Sequence, residues 1–183
     1  MNNKKVVNLD KLVSIVAKYK KSRKKVILCH GVFDLLHLGH IKHFEEAKKL
    51  GDILVITVTA DEYVNKGPNK PVFTLQQRME ALAALNKVDF VAANKWDSAE
   101  ETIKILKPNI YCKGPEYKNN SFDYTKKIIE EKKAIKSVGG KIEYTSNNTT
   151  FSSSNILNKF GDIYTDSQKA AIEKINKKFN FKQ

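Results

Sequence analysis

No apolar run in the 183 residues comes near the ~18–20 that a membrane span needs. The N-terminus, MNNKKVVNLDKL, has neither the apolar centre nor the small-residue cleavage site of a secretory signal, so a cytoplasmic protein is expected. Cysteine is scarce. Cys29 and Cys112 fall at the ends of expected strands and fit no paired ligand spacing such as C-x-x-C, so they read as small buried hydrophobes kept reduced, without structural disulfides. Acidic side chains are outnumbered, 20 against 33 basic, leaving a net charge of +13. That excess gathers anions, and nucleic acid, acidic membrane and phosphorylated small molecules are all admissible partners. Arginine, however, occurs only at Arg23 and Arg78, and the lysines are spread over 18–25, 48–49, 126–136 and 174–178 with Tyr19 the one aromatic among those runs. A solvated lysine face is the preferred reading, and nucleic acid is not expected as a partner. No internal repeat or low-complexity tract is evident.

What the sequence does have is a regular alternation of strand and helix patterns, at a length suited to one domain. Leu9, Leu12, Val13, Val16 and Ala17 share a helical face over 9–21, and a basic connection follows. Val26–Cys29 reads as a buried parallel strand. Ile41–Leu50 reads as a helix ending at Gly51, the residue type suited to a left-handed cap, and 52–60 as the next strand. Thr74 and Gln77 form a capping-box pattern for the following helix, and 88–93 is the third strand. Ser98 and Glu101 repeat that pattern for a helix that Pro108 stops. Strand four is 109–112, a charged helix runs from about 122 to 138 before Gly139-Gly140, and 141–145 is strand five. Short helices are expected over 152–160 and, amphipathically through Ile172, Ile175 and Phe179, over 166–179.

Helix-length connections between strands require a parallel sheet covered on both faces, so the fold class is α/β, Rossmann-like, with about five strands. The expected organisation is an N-terminal helix and basic connection over 1–24, a main domain over 25–160, and a C-terminal element over 161–183 that serves as linker or oligomer contact. Ligands of such sheets lie beyond the carboxyl ends of the strands, which selects the loops 31–40, 113–117 and 147–154.

All four histidines, His30, His37, His40 and His43, fall within 14 consecutive positions. Clustered imidazoles suggest zinc, but His37 and His40 stand at i and i+3 across Gly39 and no cysteine or carboxylate pattern supplies a matching set, so no metal ligand is assigned. Simple packing and capping is the other bland alternative. Against both stands the context, a buried strand leading through a turn into a helix whose N-terminus favours an anion before any side chain is counted. Two imidazoles there add donors, and a triphosphate is the natural guest.

The run Gly31-Val32-Phe33-Asp34-Leu35-Leu36-His37-Leu38-Gly39-His40 resembles the G-x-F-D-x-x-H-x-G-H signature of the cytidylyltransferase-like nucleotidyltransferases. Similarity continues through residues 47–52, Gln77-Arg78, residues 88–91, Lys113-Gly114 and Phe151–Ile156, the last resembling the family's second signature, I-S-T-T-x-I, with serines for threonines. The resemblance implies attack of an acceptor phosphate on the α-phosphate of a nucleoside triphosphate, with Mg²⁺ assisting and pyrophosphate leaving. It implies His37 and His40 as catalytic donors, with Lys66 and Arg78 acting on the phosphates. Gly31, Val32, Phe33, Gly39, Lys113, Gly114, Ser152, Ser153 and Ser154 would bind nucleotide, and Asp34 the acceptor. Activity would make a CMP- or AMP-activated sugar or polyol for surface polysaccharide, from a homodimer that stands alone or serves as a module of a longer protein.

Two departures leave the base open. Val32 replaces the threonine of the glycerol-phosphate enzymes, and residues 146–150 lack the arginine that precedes their second signature. Lys113-Gly114-Pro115-Glu116-Tyr117 is instead similar to the K-G-x-x-Y of the heptose-phosphate adenylyltransferase branch. His30 is either a packed strand-end histidine or one that faces the nucleotide. His43 either tunes His40, contacts the acceptor or sits partly exposed on its helix. The rival from another class is a non-catalytic basic module that binds phosphate or nucleic acid.

Overall fold

The computed structural model describes residues 4–65, 70–118 and 127–146, together with Ser167. Five parallel strands form one sheet: β1 (Val26–Gly31), β2 (Ile53–Thr59), β3 (Phe90–Asn94), β4 (Ile110–Lys113) and β5 (Lys141–Tyr144), in the order β3-β2-β1-β4-β5. The helices between them are α1 (Leu9–Lys21), α2 (Leu38–Lys49), α3 (Leu75–Ala83), α4 (Glu100–Leu106) and α5 (Lys127–Ser137). The order turns outward in both directions from β1, so the switch point lies at its carboxyl end, beside β4. The Rossmann-like expectation holds.

Strands β1 and β2 are apolar along most of their length because both sheet faces are covered. On one face Leu12 and Val16 of α1, Ile103 of α4 and Ile135 of α5 pack on Leu28, Val55 and Tyr111. On the other, Phe44 and Ala47 of α2 and Leu82 of α3 pack on Ile27, Cys29, Ile56 and Cys112. Each fully buried aliphatic side chain contributes ~1.5–3 kcal/mol, so the interior of this sheet is where stability concentrates. Helix α1 belongs to the same body, since Val6 bridges to Val91 and the Val7 N–H donates to the Val91 carbonyl at 3.0 Å.

Local signals succeed where their partners are local. Thr74 and Gln77 close the expected capping box on α3, and Gly139, with φ +75°, ends α5. Two other signals are corrected. Gly51 is not a left-handed cap; a Cβ there would stand 2.4 Å from the Ile27 side chain, so its smallness admits β1. The Ser98–Glu101 box does not form. Helix α4 starts at Glu100, the Ala99 N–H is taken by Glu131 of α5 at 3.1 Å, and Glu101 pairs with Lys104. Helix α2 starts at Leu38, three residues before the expected Ile41. The expected helices over 152–160 and 166–179, the latter apart from Ser167, fall outside the described residues, as does 119–126 before α5. Among the described residues no helix is long and apolar enough to cross a membrane.

Candidate active site

The turn from β1 into α2 is held from three directions. Phe33 takes φ +51°, a left-handed conformation costing a bulky residue of order 1 kcal/mol, and its ring folds back so closely that a Cβ at Gly31 would stand 3.0 Å from it. That ring packs edge-on to His40 at 5.4 Å and to Phe44 at 5.3 Å. Glycine at 31 therefore makes room for the aromatic that supports a signature histidine.

Arg78 and Asp34 supply the other two restraints. Arg78 is 1% exposed, and its guanidinium donates to the carbonyls of Phe73, Val32 and Thr59 at 3.0, 2.5 and 2.8 Å and to Asp61 at 2.5 Å. The expectation put Arg78 at the phosphates; four of its five N–H donors here meet acceptors inside the protein, tying the signature loop to β2 and to the start of α3. Asp34, 7% exposed and expected at the acceptor, accepts the backbone N–H groups of Val72 and Phe73, both at 2.9 Å. Both oxygens are thereby engaged in fastening the 70–73 segment. These two residues position the turn.

His37 is the N-cap of α2, with extended backbone (φ −135°, ψ 170°) and no side-chain cap bond. Its ring stacks on His40, centroids 3.9 Å apart and 28° between planes. The His37 Nδ1 is buried without a hydrogen-bond partner among the described residues. Partial burial lowers its pKa, favouring the neutral ring. The two imidazoles stand at a helix N-terminus, where the macrodipole also favours an anion.

Lys113 ends β4 beside this turn. It is 7% exposed, with Nζ 4.0 Å from the Tyr117 ring centroid and 3.5 Å from Glu131 Oε2. Burial opposes its charge, but Glu131 and the other nearby groups outweigh that and its pKa rises. Glu131 also accepts from the Tyr111 hydroxyl at 2.9 Å. Gly114 follows; a Cβ there would stand 2.2 Å from the Glu116 carboxylate. The K-G-x-x-Y spacing thus folds lysine and tyrosine into contact.

The remaining histidines are tied down. His30 meets the Thr57 hydroxyl at 3.1 Å through Nδ1 and the Thr59 hydroxyl at 3.4 Å through Nε2, and burial brings its pKa down to about 4. It is packed on β2. His43 meets the Thr145 hydroxyl at 3.0 Å through Nδ1, and burial followed by the Lys113 charge brings it also to about 4. One turn on, Glu46 accepts the Ser146 N–H at 2.7 Å and its hydroxyl at 3.1 Å. Helix α2 therefore fastens residues 145–146, which precede the second signature by four residues in sequence. Nothing in the sequence singled out Glu46, Thr145 or Glu131, because their partners lie 100, 102 and 18 or more residues away. Cys29 and Cys112 are buried free thiols, as expected, but they and His43 bring ligand atoms within 4.8 Å of one another, a grouping the spacing did not suggest. Lys66 and Ser152, Ser153 and Ser154 lie outside the described residues.

Comparison with known proteins agrees with this geometry. Residues 28–159 match the family described as Cytidylyltransferase-like. The bifunctional protein HldE of Sulfurimonas denitrificans is 38% identical over 138 residues, which are 74% of this chain and 29% of that protein. HldE of Trichlorobacter lovleyi is 34% identical over 169 residues, 91% of this chain and 33% of that one. The chain thus spans about a third of the length of these relatives. Among solved structures, the lipopolysaccharide core biosynthesis protein from Thermoplasma volcanium superposes with TM-score 0.57 at 30% identity, covering 69% of this chain and 99% of that one. Pantoate-beta-alanine ligase from Francisella tularensis shares the fold, with TM-score 0.60 at 18% identity, 94% of this chain and 77% of that one. The match over 28–159, which takes in the histidine turn and its supports, establishes that the chain belongs to the cytidylyltransferase-like nucleotidyltransferases.

Proposed function

We propose that the chain transfers AMP from ATP to a sugar phosphate of the heptose class, yielding pyrophosphate and an ADP-activated sugar for surface polysaccharide. The observation that carries this reading is the stacked His37–His40 pair at the N-terminus of α2, beyond the carboxyl end of β1. An oxygen of the acceptor phosphate attacks the α-phosphorus. As that P–O bond forms, the bond from the α-phosphorus to the bridging oxygen breaks and its electrons leave with pyrophosphate. Such a step needs alignment and charge neutralisation rather than covalent help from the protein.

His37 and His40 donate to the triphosphate oxygens from the N-terminus of α2, where the macrodipole also favours the anion. Gly39 carries no side chain to obstruct the backbone, while Gly31, Val32 and Phe33 form the turn around the nucleotide. Lys113 and Gly114 bind from β4, and Lys66 and Ser152–Ser154 complete the set of phosphate ligands. The similarity of Lys113–Tyr117 to the heptose-phosphate branch, together with the likeness to HldE, favours ATP over CTP. Asp34 and Asp61 each accept one N–H group on either oxygen, which fixes them to the 72–73 segment and to Leu75 and Arg78. Mg²⁺ belongs to the same proposal, entering with the triphosphate as the metal–nucleotide substrate complex. A homodimer belongs to the same proposal and is tested by light scattering.

The direct test is pyrophosphate release from ATP, CTP, GTP and UTP, each offered heptose, hexose and glycerol phosphates. Turnover of ATP with a heptose phosphate is expected. Preference for CTP with glycerol phosphate would move the chain to the cytidylyl branch, and no turnover with any pair would leave the non-catalytic phosphate-binding module.

A further inference from the structure

Cys29, His43 and Cys112 lie beneath the signature turn and take no part in the phosphate chemistry. They come from β1, α2 and β4, and their ligand atoms all lie within 4.8 Å of one another. The β1–β4 register pairs Ile27 with Ile110 and Leu28 with Tyr111, so the next step sets Cys29 beside Cys112 on the face that α2 covers. We propose that this trio binds a thiophilic divalent cation of the zinc class, which clamps α2 to the two strands at the sheet's switch point.

The chemistry of the donors matches that ion. Zinc takes thiolate sulfur at ~2.3 Å and imidazole nitrogen at ~2.0 Å, so ligand atoms sharing it stand roughly 3.3–3.8 Å apart, a small inward step from the present spacing. Two thiolates and a neutral imidazole balance the charge of a divalent ion. That balance matters because Cys29 and Cys112 are 0% and 1% exposed, and an uncompensated charge there would be costly. The nearby Lys113 ammonium does not upset it, being paired with Glu131 at 3.5 Å.

Orientation is already fixed on the histidine. The Thr145 hydroxyl engages His43 Nδ1 at 3.0 Å, which leaves Nε2 to ligate, and a hydrogen bond on the opposite ring nitrogen is the arrangement that aims a metal-bound imidazole. Three protein ligands leave one position for water. His43 lies one turn beyond His40, so a metal here would hold the helix that carries the site without touching the nucleotide.

The test uses the reduced full chain, stripped with a chelator and titrated with Co²⁺ as a spectroscopic stand-in for zinc. Expected are a sulfur-to-cobalt charge-transfer band in the near ultraviolet, saturation at one equivalent, displacement by zinc and a higher melting temperature with either metal. Cys112→Ala and His43→Gln, each checked for folding by circular dichroism, should weaken Co²⁺ binding at least about 100-fold, whereas the His37→Ala/His40→Ala double variant should bind like the parent. Absence of the thiolate band at excess Co²⁺ overturns the proposal. So does unchanged binding in Cys112→Ala and His43→Gln, and so does its loss in the His37/His40 variant.

Discussion

Four histidines share one strand, one turn and one helix, yet they divide into two pairs with opposite treatment. His37 and His40 stack on each other at the mouth of α2, and the His37 Nδ1 has no hydrogen-bond partner among the described residues. His30 and His43 each lock a ring nitrogen onto a threonine, and both are held neutral down to about pH 4. Proximity in sequence therefore says little about role. His37 and His40 stand where the turn, supported by Phe33, opens at the helix N-terminus, whereas His30 and His43 are fastened to threonines of the sheet and its following loop.

The sharpest break in the comparison is catalytic. His37→Ala or His40→Ala should lower kcat by about 10²–10³, some 3–4 kcal/mol of barrier, with little change in melting temperature, as measured by steady-state kinetics beside thermal melts. Arg78→Leu should act in the opposite sense. It removes a buried guanidinium with four acceptors and should destabilise the fold by about 3 kcal/mol in urea titration, with activity falling because the turn loosens.

The second pair is tested by pH. Its folded-state values, about 4, lie below the ordinary 6.5, so between those limits the unfolded chain binds more protons. Stability is full above pH 6.5 and falls on acidification, by up to about 1.4 kcal/mol per pH unit for each histidine, and metal-free protein should show this in urea titrations between about pH 6.5 and pH 5. The smallest effect is expected from Thr57→Val, which removes the His30 Nδ1 partner. A loss of about 1 kcal/mol of stability with turnover kept within a few-fold would confirm His30 as structural.

The same contrast explains what was legible in the sequence. The sheet, its parallel order and the Thr74–Gln77 cap depend on periodicity or on neighbours three residues away. The histidine turn was legible because strand, glycine and helix start form one continuous stretch. The working partners of Asp34 and Arg78 lie up to 39 and 46 residues distant, so a motif could name these residues while their geometry makes them restraints on the turn. Ser98 and Glu101 made a valid local signal that lost to Glu131 and Lys104. The Cys29–His43–Cys112 grouping had no local spacing at all, because strand register assembles it.

The most direct measurement is a histidine side-chain NMR spectrum, with four ring signals assigned by single substitutions, recorded during titration with Mg²⁺ and a non-hydrolysable ATP analogue. The account predicts that the His37 and His40 signals move together and saturably, while those of His30 and His43 stay close to their starting positions. Movement confined to His30 and His43, or no movement in any of the four, would contradict it.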